Sequence, residues 1–400
     1  MEEIADFGQI VLVVALGFAL ALFGRTLTER LAIPSAALFL LAAATASDLV
    51  PSLGDAISFV TVERIGVVAL IVILLEGGMR IGWHRARVAL VPILSLGVLG
   101  TFATAALLAA AAHWLLGFSW ITSGLLGAAL APTDPAVMFS VVGGREIRGR
   151  TGTILQGESG ANDPVGIALM IGMVELATSD EGSFWTVVRE FAVEMAGGTV
   201  VGVAGAAALL PLMRRARLPE ASLYPLQVLA AGGVIYGAAT LVHGSGFLAV
   251  FLAGLLIGDA DAPHQAGIEG FLSSLSSLAE ITAFVALGLT VDLTDVISSG
   301  NWLDGLVFAG VLGLVVRPLV VVTLLLPVRL TWGERLFVAW SGLKGAVPIL
   351  LAAFAVIAAV DDAAQIYDIV FVVVLFSVAV QGTLLPAVAA RLRVPLLRVE

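Results

Sequence analysis

Apolar residues fill most of the chain in long runs, and short polar stretches separate the runs. A bilayer core of about 30 Å needs about 20 mostly apolar residues to cross it as a helix. The pattern therefore predicts an all-α polytopic membrane protein with about thirteen transmembrane helices. The predicted crossings are residues 8–24, 33–50, 60–79, 88–112, 119–142, 152–178, 190–213, 223–242, 246–258, 268–291, 303–326, 334–358 and 366–390.

The basic residues indicate how the short run 246–258 should be counted. Lys and Arg accumulate in cytoplasmic loops. When 223–242 and 246–258 form a tight helical hairpin, 16 of the 20 basic residues fall in alternate loops. A single crossing over 223–258 would place the last arginines outside. We therefore expect an external N-terminus and a cytoplasmic C-terminus. The expected location is the plasma membrane, which is the inner membrane in bacteria.

Composition agrees with this class. Hydrophobic residues make up 60% of the 400 residues and charged residues 12%, with a mean hydropathy of +1.07, whereas a soluble protein has about 25% charged residues. The net charge of −10 is confined to short loops, so it does not indicate a nucleic acid or other charged partner. We expect residues 1–400 to form one membrane transporter domain without a soluble regulatory domain.

Polar side chains inside the run 152–178 are the strongest functional feature. Glu158 and Asn162 are four residues apart, and so are Ser159 and Asp163, so each pair shares a helix face. A charge at the bilayer centre costs about 2.5–3.5 kcal/mol even on lenient scales, and such groups face a wet cavity or a partner. The pattern predicts a buried site for a cation and a proton.

Asp163 is the predicted carrier of that site. Burial favours the protonated carboxyl group and a bound cation favours the carboxylate, so one residue can exchange a proton for a metal ion. The alternative is a buried carboxylate neutralised by a fixed cation. Asn162 donates and accepts hydrogen bonds but cannot titrate, and we expect it to orient the site.

Two runs are interrupted in corresponding positions. The fifth contains Ala131-Pro132-Thr133-Asp134-Pro135, and the twelfth contains Ser341-Gly342-Leu343-Lys344-Gly345-Ala346-Val347-Pro348. Proline and glycine break the helix and free backbone carbonyl groups. Paired broken segments in two halves indicate a transporter's midplane site. They predict inverted repeats of crossings 1–6 and 8–13.

Several of these residues have a structural alternative. Asp134 either caps the half-helix after the break or, with the Thr133 hydroxyl, helps to bind a hard cation, which prefers oxygen ligands. Glu158 is either a direct ligand or the ion-pair partner of Arg317. Lys344, the only lysine, would pair with a carboxylate, cap loose carbonyl groups or extend to the cytoplasmic face, and we favour a structural role.

Three motifs together resemble the monovalent cation:proton antiporter family, in its sodium/proton exchanger branch with an Asn-Asp pair. They are Gly157-Glu158-Ser159-Gly160-Ala161-Asn162-Asp163-Pro164, Thr133-Asp134-Pro135 and Gly342-Leu343-Lys344-Gly345-Ala346-Val347-Pro348. The stretches Phe139–Gly144 and Leu75–Met79 look more like bacterial potassium/proton antiporters.

The resemblance implies a homodimer in which each protomer has a dimerisation domain and a mobile core that includes residues 119–178 and 303–390. It implies that oxygen atoms of five residues surround the ion, namely Asp163, Asp134, Glu158, Ser159 and Thr133. Arg317 would match the family arginine that pairs with the motif glutamate. Lys344 stands where many members have arginine.

The sequence therefore predicts a secondary antiporter that exchanges Na⁺ for H⁺, one for one, by alternating access, with K⁺ as the alternative ion. We expect no enzymatic activity and no cofactor beyond the transported ions. A cation channel is the alternative from another class, but no repeated carbonyl filter or charged ring is visible. An intramembrane enzyme would need a Ser/His or metal-ligand group at depth, and the histidines lie in loops or at segment ends.

Overall fold

The computed structural model describes residues 34–398 apart from 56, 135–137, 139–144, 148, 180–183, 216–217 and 261–262. The predicted first crossing, 8–24, and most of the second half of the fifth crossing lie outside the described residues. Elsewhere, helices follow the predicted crossings in order, as expected for a polytopic α-helical protein.

The described helices are α1 (Ser35–Leu49), α2 (Pro51–Asp55), α3 (Phe59–Ile81), α4 (Trp83–Val88), α5 (Leu90–Leu116), α6 (Trp120–Leu130), α7 (Arg150–Thr178), α8 (Phe184–Arg215), α9 (Leu223–Leu241), α10 (Gly246–Gly258), α11 (Gln265–Gly288), α12 (Leu293–Ser298), α13 (Asn301–Leu325), α14 (Trp332–Trp340), α15 (Ala346–Ile357) and α16 (Ala363–Arg391). The described strands are β1 (Arg145–Ile147) and β2 (Leu396–Arg398).

Six helices of the described part are long and apolar enough to cross a membrane: α5, most of α8, α9, α11, α13 and α16. Helices α1, α6, α10 and α15 are apolar but shorter. Helix α7 has 29 residues, about 43 Å at 1.5 Å per residue, and its polar residues lie mid-helix. The predicted hairpin over 223–258 is present as α9 and α10, and Ser245 caps α10 by accepting from the Leu248 amide.

Helices α3 and α10 pack with their backbones in contact because glycine lines the interface. A side chain at Gly78 would overlap the Phe251 carbonyl oxygen, and one at Gly258 would overlap the Met79 carbonyl oxygen. Small residues permit this close approach, which is the usual way that helices associate in a membrane. The contact fixes α3, which forms one wall of the cavity described below.

Both predicted interruptions contain non-helical backbone, although Ala346, Val347 and Pro348 of the second are already helical and Pro135 of the first lies outside the described residues. Helix α6 ends at Leu130 and residues 132–134 are irregular, while α14 ends at Trp340 and α15 begins only at Ala346. Residues 131–134 are called the first break below, and residues 341–345 the second break. Irregular backbone at membrane depth requires partners within the protein.

Three of the described helices contain a π-helical turn, a rare distortion that often occurs at functional sites. The turns are Ser95–Gly100 in α5, Leu312–Val316 in α13 and Ser377–Gly382 in α16. The first packs against α7, since a side chain at Gly97 would meet Ala161. The second ends directly before Arg317.

The strand pair was not predicted. Strands β1 and β2 are antiparallel, with Arg145 opposite Arg398 and Ile147 opposite Leu396. Strand β1 precedes α7 and β2 follows α16, so the pair joins the ends of two helices that carry polar buried residues.

Candidate cation site

The polar face of α7 is buried as the sequence indicates. Glu158 and Asn162 are each 1% exposed, and Ser159 and Asp163 are each 4% exposed. Four polar side chains within two turns of one buried helix need partners from other elements.

The Thr133 hydroxyl group supplies partners for two of them. Its oxygen accepts a hydrogen bond from Nδ2 of Asn162 at 2.8 Å and lies 3.1 Å from the hydroxyl oxygen of Ser159. The first break is therefore attached to α7 one turn from Asp163. Asn162 thus has the orienting contact expected of it.

In the described part of the chain, Asp163 combines an unpartnered oxygen, which Asn162 also has, with a place on the wall of a cavity. Its Oδ1 atom is buried without a hydrogen-bond partner among the described residues. Asp163 and Asp134 both line a cavity of about 310 Å³ whose wall also includes Gly66, Glu76, Gln156, Ser277 and Ala346. A buried carboxylate on the wall of a cavity suits a hard monovalent cation or a proton, because such cations prefer oxygen ligands.

The two breaks cross beside the cavity. The Asp134 amide donates to the Leu343 carbonyl oxygen at 2.8 Å. The Asp134 carboxylate lies so close to Gly345 that a side chain there would overlap it. Glycine at position 345 is therefore required for the second break to approach Asp134.

Lys344 holds the same crossing. The side chain is 1% exposed, and its Nζ donates to the carbonyl oxygens of Ala131 at 3.0 Å and Pro132 at 2.7 Å. These carbonyl groups follow the C-terminal end of α6, where a positive charge is favourable. Of the three roles considered for Lys344, the geometry matches the capping of loose carbonyl groups.

Glu158 meets Arg317. The two side chains form an ion pair of 2.5 Å between Oε1 and Nη1, and both are almost fully buried. A side chain at Gly342 would overlap the guanidinium group, so the pair also touches the second break. This geometry favours the ion-pair alternative for Glu158 over direct ligation.

The sequence-predicted site residues are thus brought together in two groups. Asp163, Asp134, Thr133, Ser159 and Asn162 lie at the cavity and the first break, while Glu158 and Arg317 form a separate pair. Sequence reasoning missed Trp340, Ser377 and Gln381, which hydrogen-bond around the second break. Gln381 interrupts the apolar run 366–390, and this polar residue was the sequence feature that could have indicated a buried hydrogen-bonded contact.

Comparisons with known proteins agree with this architecture. Residues 6–391 match the family described as "Sodium/hydrogen exchanger, transmembrane". The chain belongs to the sodium/hydrogen exchanger family.

Relatives in this family are named either as K⁺/H⁺ antiporters or as Na⁺/H⁺ antiporters. The chain is 35% identical to the K⁺/H⁺ antiporter NhaP of Alkalimonas amylolytica, over 96% of this chain and 67% of that protein. It is 34% identical to the K⁺/H⁺ antiporter NhaP2 of Shewanella sp. strain ANA-3, over 98% and 68%. It is 26% identical to the Na⁺/H⁺ antiporter NhaH of Halobacillus aidingensis, over 96% and 98%.

The fold is similar to that of the sodium proton antiporter MjNhaP1 from Methanocaldococcus jannaschii. The TM-score is 0.80 at 24% identity, covering 96% of this chain and 100% of that one. Together with the family match, this identifies the chain as a membrane-embedded monovalent cation:proton antiporter. The family is one of transporters.

The Glu158–Arg317 pair yields a stability prediction. Removing one partner leaves an uncompensated buried charge, which typically costs about 3–5 kcal/mol. Glu158→Gln and Arg317→Ala should each lower the melting temperature of the purified protein, and the double variant should regain part of the loss. Arg64→Ala, at an exposed position, is the control and should melt like the unmodified chain. Strictly additive losses would show that the two side chains do not interact.

Proposed function

We propose that the chain exchanges a monovalent alkali cation for a proton through Asp163, by alternating access. One observation carries this assignment: a buried carboxylate oxygen without a hydrogen-bond partner among the described residues, on a side chain that lines a cavity. A carboxyl group in such a place is stabilised either by a proton or by a cation, and the two compete for it.

The neighbouring groups supply ligands and fixed geometry. Asp134 shares the cavity wall with Asp163, and the hydroxyl groups of Thr133 and Ser159 lie next to each other. In this proposal the cation binds to Asp163 with help from Asp134 and these hydroxyl groups, while Asn162 positions Thr133. No cofactor takes part, because the competition needs only the transported ions.

We further infer that exchange is electroneutral, one cation for one proton. Asn162 cannot hold a proton to release, and arginine does not deprotonate in proteins. The Lys344 ammonium group donates two hydrogen bonds to carbonyl oxygens, and in this proposal it keeps its proton throughout the cycle. Asp163 is then the one group whose occupant alternates, so each half-cycle moves the same net charge.

The identity of the cation is inferred from the motifs and from the named relatives. The motif resemblance favoured Na⁺ with K⁺ as the alternative. The two relatives at 34–35% identity are named K⁺/H⁺ antiporters, whereas the Na⁺/H⁺ antiporter is 26% identical. The names therefore favour K⁺, and both ions belong in every test.

The larger arrangement is also a proposal. Thirteen crossings with an external N-terminus, two inverted repeats, a core domain, a dimerisation domain and a homodimer in the inner membrane follow from the charge pattern and the resemblance. The repeats gain support from the π turns in α5 and α13, which belong to the fourth and eleventh crossings and are equivalent under this symmetry. In this orientation the cavity opens to the cytoplasm, since Arg80 at the end of α3 lines it.

The first prediction about transport concerns Asp163, the proposed carrier. Asp163→Asn removes the group that binds proton and cation alternately, so cation-driven proton movement should disappear while the protein stays folded. The measurement is an internal pH dye in proteoliposomes. Asp361→Asn, which changes an exposed carboxylate, should exchange like the unmodified chain. Substantial exchange by purified Asp163→Asn would disprove the assignment.

A second measurement ranks the ions. The unmodified chain in the same proteoliposomes receives Na⁺, K⁺ and Li⁺ in turn. We expect K⁺ to drive a pH change at least as large as that driven by Na⁺. A response to Na⁺ and Li⁺ without one to K⁺ would return Na⁺ to first place.

The third prediction concerns charge. A membrane potential imposed with a gradient of a permeant anion, without any K⁺ gradient, should leave the rate and the end-point of Na⁺-driven exchange unchanged, because no net charge moves. A clear voltage dependence would refute the one-for-one exchange and indicate Lys344 as a second proton carrier.

A further inference from the structure

Two polar side chains of the π turn in α16 lie outside the site described so far and are almost fully buried. They are Ser377, 3% exposed, and Gln381, 8% exposed. Burial of a hydroxyl and an amide group in an apolar helix is unfavourable unless both are hydrogen-bonded. Their partners lie at both ends of the second break.

The hydrogen bonds form a continuous chain. The Lys344 backbone amide donates to the Ser377 hydroxyl oxygen at 2.9 Å, and this hydroxyl donates to Oε1 of Gln381 at 3.1 Å. Nε2 of Gln381 donates to the Trp340 carbonyl oxygen at 2.5 Å. The Trp340 indole in turn donates to the Gln381 carbonyl oxygen at 3.2 Å.

These hydrogen bonds replace helical backbone hydrogen bonds that are missing at the second break. Residues 341–345 lie between two helices, so part of their backbone lacks regular helical partners. Trp340 is the last residue of α14, and Lys344 lies two residues before Ala346, the first residue of α15. Ser377 and Gln381 therefore hold the broken backbone at both ends.

The same stretch of backbone touches the first break. Leu343 accepts from the Asp134 amide, and the Lys344 side chain binds the carbonyl oxygens of Ala131 and Pro132. A displacement of Lys344 would move these contacts and thereby Thr133 and Asp134. An error of about 1 Å in such a site has large functional consequences.

We propose that Ser377 and Gln381 are positioning residues for the exchange. They fix the position of the second break and, through Lys344, the position of the oxygen atoms beside Asp163. This inference rests on the proposed function of Asp163. Neither side chain contacts the ion in it, and both act through the backbone of Trp340 and Lys344. The π turn places their hydroxyl and amide groups against the break.

Ser377→Ala and Gln381→Leu test the proposal, because each removes the hydrogen-bonding group with little change in size. We expect a half-saturating cation concentration about tenfold higher, the size expected from one buried hydrogen bond, and a shifted pH profile of exchange. Ser377→Thr keeps the hydroxyl group and should restore the unmodified values. Thr383→Ala is the matched control, since Thr383 is on the same helix and donates to its own helix at Ala379.

A second readout does not need transport. A bound cation raises the melting temperature by mass action, so Na⁺ or K⁺ titrations of the purified variants should show a midpoint moved to higher cation concentration. Should Ser377→Ala not fold, Gln381→Asn, which keeps the amide group but shortens its reach, takes its place in both measurements.

The outcomes separate the two proposals. Unmodified half-saturation and pH profile in both Ser377→Ala and Gln381→Leu would overturn the positioning role. The positioning role would also be overturned if the variants lose activity and melt at a lower temperature while their half-saturating cation concentration stays unchanged. An unmodified chain that neither exchanges nor is stabilised by either cation would overturn the function proposed for Asp163, and the positioning role with it.

Discussion

The ammonium group of Lys344 binds the carbonyl oxygens of Ala131 and Pro132, and the site depends on this contact. Two broken helices cannot cross at membrane depth unless their freed carbonyl and amide groups find partners in the protein. Lys344 satisfies the end of α6, and Leu343 accepts from the Asp134 amide on the other side of the crossing. The same bonds bring Thr133 and Asp134 beside α7, so the requirement for satisfied backbone also assembles the oxygen ligands.

The buried ion pair of Arg317 and Glu158 leaves the carboxylate of Asp163 without a fixed charge partner from that pair. Arg317 and Glu158 compensate each other, so neither needs the carboxylate of Asp163 as a partner. Were Arg317 to pair with Asp163 instead, a fixed cation would occupy the place that we propose the proton and the transported ion share. Glycine at position 342 gives the guanidinium group room. The ion pair and the proposed carrier are therefore separate, although only about one turn of α7 lies between Glu158 and Asp163.

Much of the fold followed from hydrophobic runs and from breaks at proline and glycine, because both depend on local sequence. The hairpin of α9 and α10 could be predicted from loop arginines. The partners of Lys344 could not, because they depend on how two breaks cross in space. Gln381 interrupts an apolar run, yet the sequence does not indicate which backbone it meets. Strands β1 and β2 are three residues each and join segments more than 200 positions apart, so no local pattern could predict them.

The alternating access proposed for this protein would impose one further requirement on these contacts. The hydrogen bonds and the ion pair of the site join α7, α13, α16 and the two breaks, which therefore move together if they move at all. The cavity wall also includes residues of α3 and α11, some small and apolar, such as Gly66 and Ala283, and others polar, such as Glu76 and Ser277. Helix α3 is in turn fixed to α10 by glycine contacts. If the site alternates between the two sides of the membrane as proposed, the cavity between the site and α3 is where the two parts would move past each other, and the hydrogen bonds of the site would stay intact.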